Sequence, residues 1–269
     1  MITKIYNNYF DKVKSIIDKI PTQTGSFGYD PWGYSPESAL KGMFIAKLFY
    51  DYYFRVEAYG LNNIPSKGRI LLISHHSGQI PTDAVLISIA VATNPNGPRA
   101  VRSMIERYSP TLPFIGNLLN DLGAVIGDPI NCIKMLERDE AVIVFPEGIK
   151  GAVKHWKKRY QLQRFGTGFM RLALKTNSPI VPIAVIGCEE TMPGLGSYDL
   201  LAKLIGVPKI PITIPFPLPV KVRLFFGQPM TFEGDSENEK ELEPLVEKVK
   251  ESISGMIKIG INSRTSVFF

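Results

Sequence analysis

The sequence predicts an α/β fold: a mostly parallel central sheet flanked by helices, with an N-terminal helical segment in front of it. Three observations predict it. Short runs that are apolar throughout recur along the chain, at Arg69–Ser74 (RILLIS), Ala141–Phe145 (AVIVF) and Ile180–Val185 (IVPIAV). Strands that are covered on both faces read this way, without polar alternation. Helical stretches separate several of these runs, which is the pattern of an α/β sheet. No such run occurs in the first fifty residues, where the spacing is helical.

The elements follow in order. Ile2, Ile5, Tyr6, Tyr9, Phe10, Val13, Ile16, Ile17 and Ile20 fall at three- and four-residue intervals, with Lys4, Lys12, Lys14 and Lys19 between them. That is a basic amphipathic helix. It either packs on the domain or lies on a membrane surface. Gly25 to Tyr34 is a loop. Ser35-Pro36-Glu37 suits a helix start, because Ser can cap and Pro fits the first helical position. This second helix runs to about Tyr53. Strands follow at Phe54–Ala58 and Arg69–Ser74, then an apolar helix from about Thr82 to Val91. Further strands are expected at Ala100–Ser103, Gly123–Ile126, Ala141–Phe145 and Ile180–Val185. Helices are expected near Asn131–Arg138 and Gly166–Lys175. Lys209–Val220 is broken by Pro211, Pro215, Pro217 and Pro219. It cannot be a central strand and reads as an extended surface segment. A strand at Lys221–Phe226 and a helix from Ser236 to about Ile259 complete the chain. Residues 1–60 form the N-terminal helical segment, and 61–269 form one continuous α/β unit.

Composition bounds the function. The 269 residues are 45% hydrophobic and 21% charged, which excludes a disordered chain or a rod. Cys132 and Cys188 are the only cysteines, so there is no disulfide framework and no four-cysteine zinc site. The net charge of +6 suits anionic partners such as phosphate-bearing substrates or an acidic membrane. The longest clean apolar stretch, Ala84 to Thr93, is about ten residues where a membrane span needs about twenty. The first twenty residues carry charges throughout and do not read as a secretory leader. A cytoplasmic, peripherally membrane-associated protein is the expectation.

Ligands of an open α/β sheet bind beyond the carboxyl ends of its strands. Two such ends carry ionisable groups. Strand 69–74 runs into His75 and His76, with Asp83 at the start of the next helix. Strand 141–145 runs into Pro146, Glu147 and Gly148. An Asp seven positions after a His, across a strand–turn–helix, can fix the imidazole tautomer and leave the other nitrogen as a base. Glu147 could position an acceptor hydroxyl, and Gly148 allows close backbone approach to a ligand. The same residues would equally serve a loop with a capping Asp and an ordinary Pro-Glu-Gly turn. Beyond them, Lys150 to Arg164 contains six Lys and Arg and no acid, with Trp156 and Tyr160 interleaved. This is a solvated loop or a contact for phosphate or headgroups. There is no module for nucleic acid, no G-x-S-x-G elbow, no phosphate-binding glycine loop and no H-E-x-x-H.

These residues resemble the glycerolipid and lysophospholipid acyltransferases. The family's H-x4-D motif is similar to His76-Ser-Gly-Gln-Ile-Pro-Thr-Asp83. Its F-P-E-G motif is present as Phe145-Pro146-Glu147-Gly148, and its apolar V-P-I resembles Ile180-Val181-Pro182-Ile183. Tyr160 through Gly168, Ile186 through Glu190, Pro215–Pro219 and Phe226–Pro229 resemble one branch of the family, with diacylglycerol-synthase-like members. The likeness covers roughly residues 30–265. Two features depart from the family pattern. Six residues, not four, separate His76 from Asp83. The stretch Gly123–Pro129 also lacks the Arg that holds an acceptor phosphate; Arg164 or Arg102 could substitute, or the acceptor could be neutral, such as a monoacylglycerol.

The resemblance implies a reaction. An acyl group would pass from acyl-CoA or acyl-carrier protein to a hydroxyl of a glycerolipid or lysophospholipid at a membrane surface. His76 (or His75) would be the base and Asp83 its orienter. Glu147, Gly148, Pro146 and Arg164 would bind substrate. No metal and no bound cofactor would be needed. The alternative is a non-catalytic lipid-surface protein that keeps the fold. Hydrolysis of a thioester or lipid is a third possibility.

Overall fold

The computed structural model describes residues 2–107, 109–111, 115–204, 206 and 209–268. Among them, seven strands form one sheet: β1 (Glu57–Tyr59), β2 (Ile70–Ser74), β3 (Val101–Ile105), β4 (Ala124–Ile126), β5 (Ala141–Val144), β6 (Ile180–Ile186) and β9 (Arg223–Phe226). The spatial order is β1-β9-β6-β2-β5-β3-β4. Strands β6, β2, β5, β3 and β4 are mutually parallel. β9 lies antiparallel to β6 and parallel to β1. The sheet is therefore mixed but mostly parallel, as the apolar runs imply. Direction at β9 is set by its connection, which no local pattern encodes. Two further short strands, β7 (Gly196–Ser197) and β8 (Pro211–Ile212), pair as a separate antiparallel ribbon.

Alternate residues of the central strands feed two apolar layers. Ile70, Leu72, Ala141, Ile143, Val181, Ile183 and Val185 face one side, against α1 (Ile2–Ile17), α2 (Pro36–Leu48) and α3 (Thr82–Ala92). Leu71, Ile73, Val142, Ile180, Ala184 and Ile186 face the other, against α5 (Pro129–Glu137), α7 (Gly168–Thr176) and α10 (Glu239–Ser263). Every residue of β2 and of β6 is buried. The remaining helices are short: α4 (Ile115–Asp121), α6 (Ile149–Ala152), α8 (Cys188–Thr191) and α9 (Asp199–Leu204). The sequence lacks a periodic stripe long enough to announce them.

The N-terminal helices belong to the first layer. Ser35 caps α2, its hydroxyl accepting from the Ser38 amide, with Pro36 in the first turn. α2 continues into a wider turn, Phe49–Tyr53, whose exit is marked by the Phe54 amide bonding Phe49 O at 2.7 Å. That turn shifts the predicted strand 54–58 to Glu57–Tyr59. Val13, Ile17 and Ile20 are buried in the same apolar cluster as Ile70 and Leu72. The Phe44 ring on α2 meets Tyr6, Tyr9 and Phe10 at centroid distances of 5.2, 5.7 and 5.8 Å. α1 is thus seated on the domain, while Tyr6 and Tyr52 remain more than half exposed.

The segment Lys209–Val220 is mostly irregular and partly to fully exposed as far as Pro219, with Val220 buried. Its one regular piece, β8, is an edge partner of β7, which suits a proline-bearing strand.

Replacing Val13, which is fully buried, by Asp places an unpaired carboxylate in the apolar layer. Limited proteolysis is expected to cut the Val13→Asp protein first between residues 18 and 34, with α1 released from α2. Lys12→Asp, on the exposed side, should digest like the parent chain. Equal digestion of both variants would contradict the packing of α1.

Candidate active site

β2, β5 and β6 are parallel neighbours, so their carboxyl ends share one edge of the sheet. The buried run of β2 ends at Ser74. His75 and His76 then continue its alternation and point to opposite sides. His75 is fully buried, and its Nε2 accepts from the Val185 amide of β6 at 3.0 Å. Its proton therefore sits on Nδ1. Burial, with the positive charges of Lys154 and His76, holds His75 well below the ordinary imidazole value, so it stays neutral. It ties the β2 exit to β6.

His76 has a different setting. Its Nδ1 lies 2.7 Å from Asp83 Oδ2, and its side chain is 17% exposed. The ring stacks on Phe145 from the β5 exit, 4.4 Å between centroids. Asp83 is wholly buried in the first turn of α3. Its Oδ2 also accepts from the Ser77 amide at 2.7 Å, and its Oδ1 from the Ala84 amide at 2.8 Å. A carboxylate held this way accepts from a protonated Nδ1, and Nε2 keeps its lone pair. No described residue bonds Nε2. Burial alone would push the His76 pKa down, but the charge and hydrogen bond of Asp83, helped by Glu147, outweigh it and raise the pKa. The six-residue gap is spanned by a turn with Gly78 at φ 90° and the start of α3 just after Pro81.

Glu147 lies in the turn after β5, and its carboxylate faces inward with no exposed side-chain surface. One oxygen accepts from the His76 amide at 2.9 Å and the other from the Gln163 amide at 2.5 Å. Lys154 Nζ stands 3.8 Å away. Glu147 thus braces two strand exits, rather than presenting an oxygen outward to an acceptor. Gly151 can approach it only because it lacks a side chain: a Cβ there would lie 2.4 Å from Glu147 Oε2. Gly148 takes φ 56° and ψ −153°, a conformation open to glycine almost alone. The Pro146 carbonyl accepts from the Gly166 amide at 3.0 Å, which anchors the glycine pair ahead of α7.

The structure gives partners to residues that the sequence named without a role or did not single out. Lys154, nearly buried, bonds Glu189 at 2.7 Å. Glu189 accepts from the Tyr160 amide at 2.5 Å; burial drives its pKa upward against the pull of Lys154. The Tyr160 hydroxyl contacts Glu190 and accepts from the Gly187 amide at 2.8 Å. Arg264, from the end of the chain, closes on Glu190 at 2.7 Å. The signal in the sequence was two adjacent acids directly after the most apolar strand. Such a pair has to find cations, and Lys154 lies in the only nearby stretch rich in them.

The arginines separate cleanly. Arg102 is buried between Asp30 at 2.5 Å and Glu140 at 3.1 Å, so it is not available to a ligand. Arg164 lines a surface groove with Thr167, Lys240, Glu243 and Lys250, and none of the groove's lining residues is His76, Asp83 or Glu147. Arg107, two residues beyond the end of β3, is largely exposed and pairs with Asp128 at 3.2 Å. Its neighbour Glu106 lies close to Gly148. Asp128 also caps α5. Among the described residues, no cluster of three or more His, Cys, Asp and Glu side chains could hold a metal ion.

An Asp–His pair stands at the carboxyl edge of a mixed α/β sheet, beside a Phe-Pro-Glu-Gly turn, an arrangement consistent with acyl-transfer chemistry. The acyltransferase family model matches residues 55–186, which span both motifs. An uncharacterized protein of Mycobacterium tuberculosis (strain H37Rv) is 34% identical over 262 residues, covering 91% of this chain and 73% of that one. One from Mycobacterium leprae is 33% identical, with 91% and 71% covered. The human protein described as DGAT1/2-independent enzyme synthesizing storage lipids is 24% identical over 202 residues, 75% of this chain and 60% of its own. The solved structure of the Thermotoga maritima 1-acyl-sn-glycerophosphate (LPA) acyltransferase, PlsC, superposes with a TM-score of 0.54 at 16% identity, covering 97% of both chains, and shares the fold. The chain has an acyltransferase-family fold, with residues 55–186 matching that family.

The His76 environment makes a pH prediction. A neutral imidazole is the active form, so activity should rise with pH through a midpoint above the ordinary 6.5. The same raised pKa stabilises the fold below pH 6.5, and this contribution is lost as pH rises through the folded value. Asp83→Asn removes the charge but not the burial. The activity midpoint should then move below the parent's, and the plateau rate should fall roughly 10²-fold or more. An unmoved midpoint would remove Asp83 as the group that sets the His76 tautomer and charge.

Proposed function

We propose that this protein is an O-acyltransferase of the glycerolipid and lysophospholipid type, using acyl-CoA or acyl-carrier protein as donor. The observation that carries the reading is the 2.7 Å His76–Asp83 contact, with Nε2 of His76 left as the base. In this reading His76 Nε2 takes the proton of the acceptor hydroxyl as the oxygen attacks the thioester carbonyl. The C–O bond forms, the tetrahedral centre collapses, and the C–S bond breaks. The imidazolium returns its proton to the thiolate. Asp83 stabilises the imidazolium throughout. Residues 61–269 supply the chemistry, and residues 1–60 complete the apolar layer and an exposed aromatic face. The exposure of Tyr6 and Tyr52 supports peripheral attachment to a membrane. No helix among the described residues is long and apolar enough to cross one.

Glu147, Gly148 and Pro146 act here by position: Glu147 fixes the His76 backbone, and the glycine lets substrate approach the turn. Two acceptor classes have support. The name of the Thermotoga maritima enzyme points to a lysophosphatidate, and those of the storage-lipid relatives to a neutral glycerolipid. The branch resemblance and the absence of Arg in Gly123–Pro129 favour the neutral one. If a phosphate is read, Arg107 is the cation placed for it.

The test is a panel of acceptors with labelled acyl-CoA and acyl-carrier protein. Ester product with a monoacylglycerol or lysophosphatidate is the expected result. Free fatty acid alone would make the chain a hydrolase, and no product would leave it non-catalytic. On the phosphate-bearing acceptor, Arg107→Ala should lower kcat/KM about tenfold or more relative to the neutral one. Arg164→Ala should leave that ratio unchanged. The opposite pattern would return the role to Arg164.

A further inference from the structure

After β6 the chain leaves the sheet for an excursion that the site chemistry does not use. It runs from Pro193 through β7, α9 and β8 to Pro219. Six large apolar side chains on it are exposed: Leu195 at 59%, Tyr198 at 54%, Leu200 at 85%, Leu204 at 82%, Phe216 at 59% and Leu218 at 39%. Ala202 of α9 is buried. Leu200 and Leu204, more than four-fifths exposed, gain little from the folded chain alone. Leu200 and Leu204, four residues apart on α9, share one face of that helix.

The second observation is charge. The turn from Lys150 to Arg164 abuts the start of the excursion, with the Trp156 amide donating to Gly194 O at 2.8 Å. Lys150, Lys157, Lys158 and Arg159 on that turn are exposed, and so is Lys203 on α9. None of the five forms an ion pair with an acid among the described residues. Arg159 instead covers the Trp156 ring at 4.5 Å. Cations, an aromatic ring and unshielded leucines therefore stand side by side.

The third is place. β6 delivers the excursion to the same sheet edge as His76. Gln79, in the loop between His76 and Asp83, donates to Lys154 O at 3.1 Å, so the loop, the basic turn and the excursion are tied together. Ile80, next in that loop, is 44% exposed.

We propose that the excursion and the basic turn form a second membrane seat, separate from the N-terminal helices, which sets the His76 edge against an anionic bilayer. Leu200 and Leu204 enter the acyl boundary, Trp156 and Tyr198 lie at the headgroup level, and the lysines and Arg159 meet anionic headgroups. An acidic protein partner would use the cations but leave the leucines in water. An apolar protein partner would leave five cations opposite an uncharged surface. An anionic bilayer satisfies both. The proposal rests on the reading of the site as one for lipid acceptors, and it gives that acceptor its route: a lipid hydroxyl reaches His76 from the bilayer without crossing water.

The test uses the full chain and vesicles of phosphatidylcholine, with and without phosphatidylglycerol. Trp32 and Trp156 are the only tryptophans, so Trp32→Phe leaves Trp156 as the sole reporter. Its emission should shift to the blue on anionic vesicles and be quenched by brominated acyl chains. Leu200→Ser with Leu204→Ser should weaken vesicle partitioning at least about tenfold. Lys157→Gln with Lys158→Gln should weaken it on anionic vesicles only. Circular dichroism and the melting midpoint should match the parent, since all four side chains are exposed.

The leucine variant should keep its rate on a short-chain, water-soluble monoacylglycerol and lose it on a vesicle-borne one. Unchanged partitioning with unquenched Trp156 would overturn the proposal. So would a change in self-association in place of vesicle binding. A chain with no transferase activity on any acceptor, whose vesicle binding still depends on Leu200 and Leu204, would retain the membrane seat and refute the proposed reaction.

Discussion

The site depends on one buried carboxylate. Glu147 has no solvent-exposed side-chain surface, yet it accepts hydrogen bonds from the His76 and Gln163 amides and lies 3.8 Å from Lys154. A buried charge is tolerated only when it is bonded and balanced, and here its partners are His76, 71 residues away, and Lys154 and Gln163 from the turn that follows it. Those bonds fix the distance between the β2 exit and the β5 exit. Phe145, two residues earlier, is thereby held over the His76 ring. Lys154 passes the balance on to Glu189, and Glu189 to the Tyr160 amide. The site is a set of strand ends cross-linked by charge, resting on apolar strands that fit no other way.

The two adjacent histidines show how one strand end divides its labour. Alternation sends His75 inward, where it spends its acceptor on Val185 and stays neutral. The same alternation turns His76 toward α3, where a buried Asp sets its tautomer. The second nitrogen of His76 is left for chemistry because Asp83 has taken the first. His75→Ala would leave a cavity and an orphaned Val185 amide, so its cost falls on stability rather than on turnover.

Much of this was legible in the sequence. β2, β5 and β6 announce themselves as unbroken apolar runs, and strand exits are where a ligand site belongs. That placed His76, Asp83 and Glu147 at one edge. The seven-residue step from His to Asp was readable because Gly78 and Pro81 can turn the chain. The orientation of Glu147 was not readable: a Pro-Glu-Gly turn does not say whether its carboxylate faces solvent or protein, and only the neighbouring Gly151 hints at crowding. Arg102 and Arg164 look alike as letters, but one is buried between two acids and the other sits in a groove beside α10. No motif marks Arg107, whose position two residues past β3 is set by where that strand ends. Lys154 looked like one more cation in a basic loop, and its partners Glu189 and Glu190 arrive from beyond β6.

The central claim is that the His76 imidazole is the proton acceptor for acyl transfer. It is tested most directly by the single-turnover rate of ester formation in His76→Ala against the parent chain, at saturating thioester and acceptor, with thermal unfolding measured on both. The predicted result is a rate lower by roughly 10²–10⁴-fold with little change in the unfolding midpoint, because His76 contributes more chemistry than packing. A variant that forms ester at close to the parent rate would contradict it.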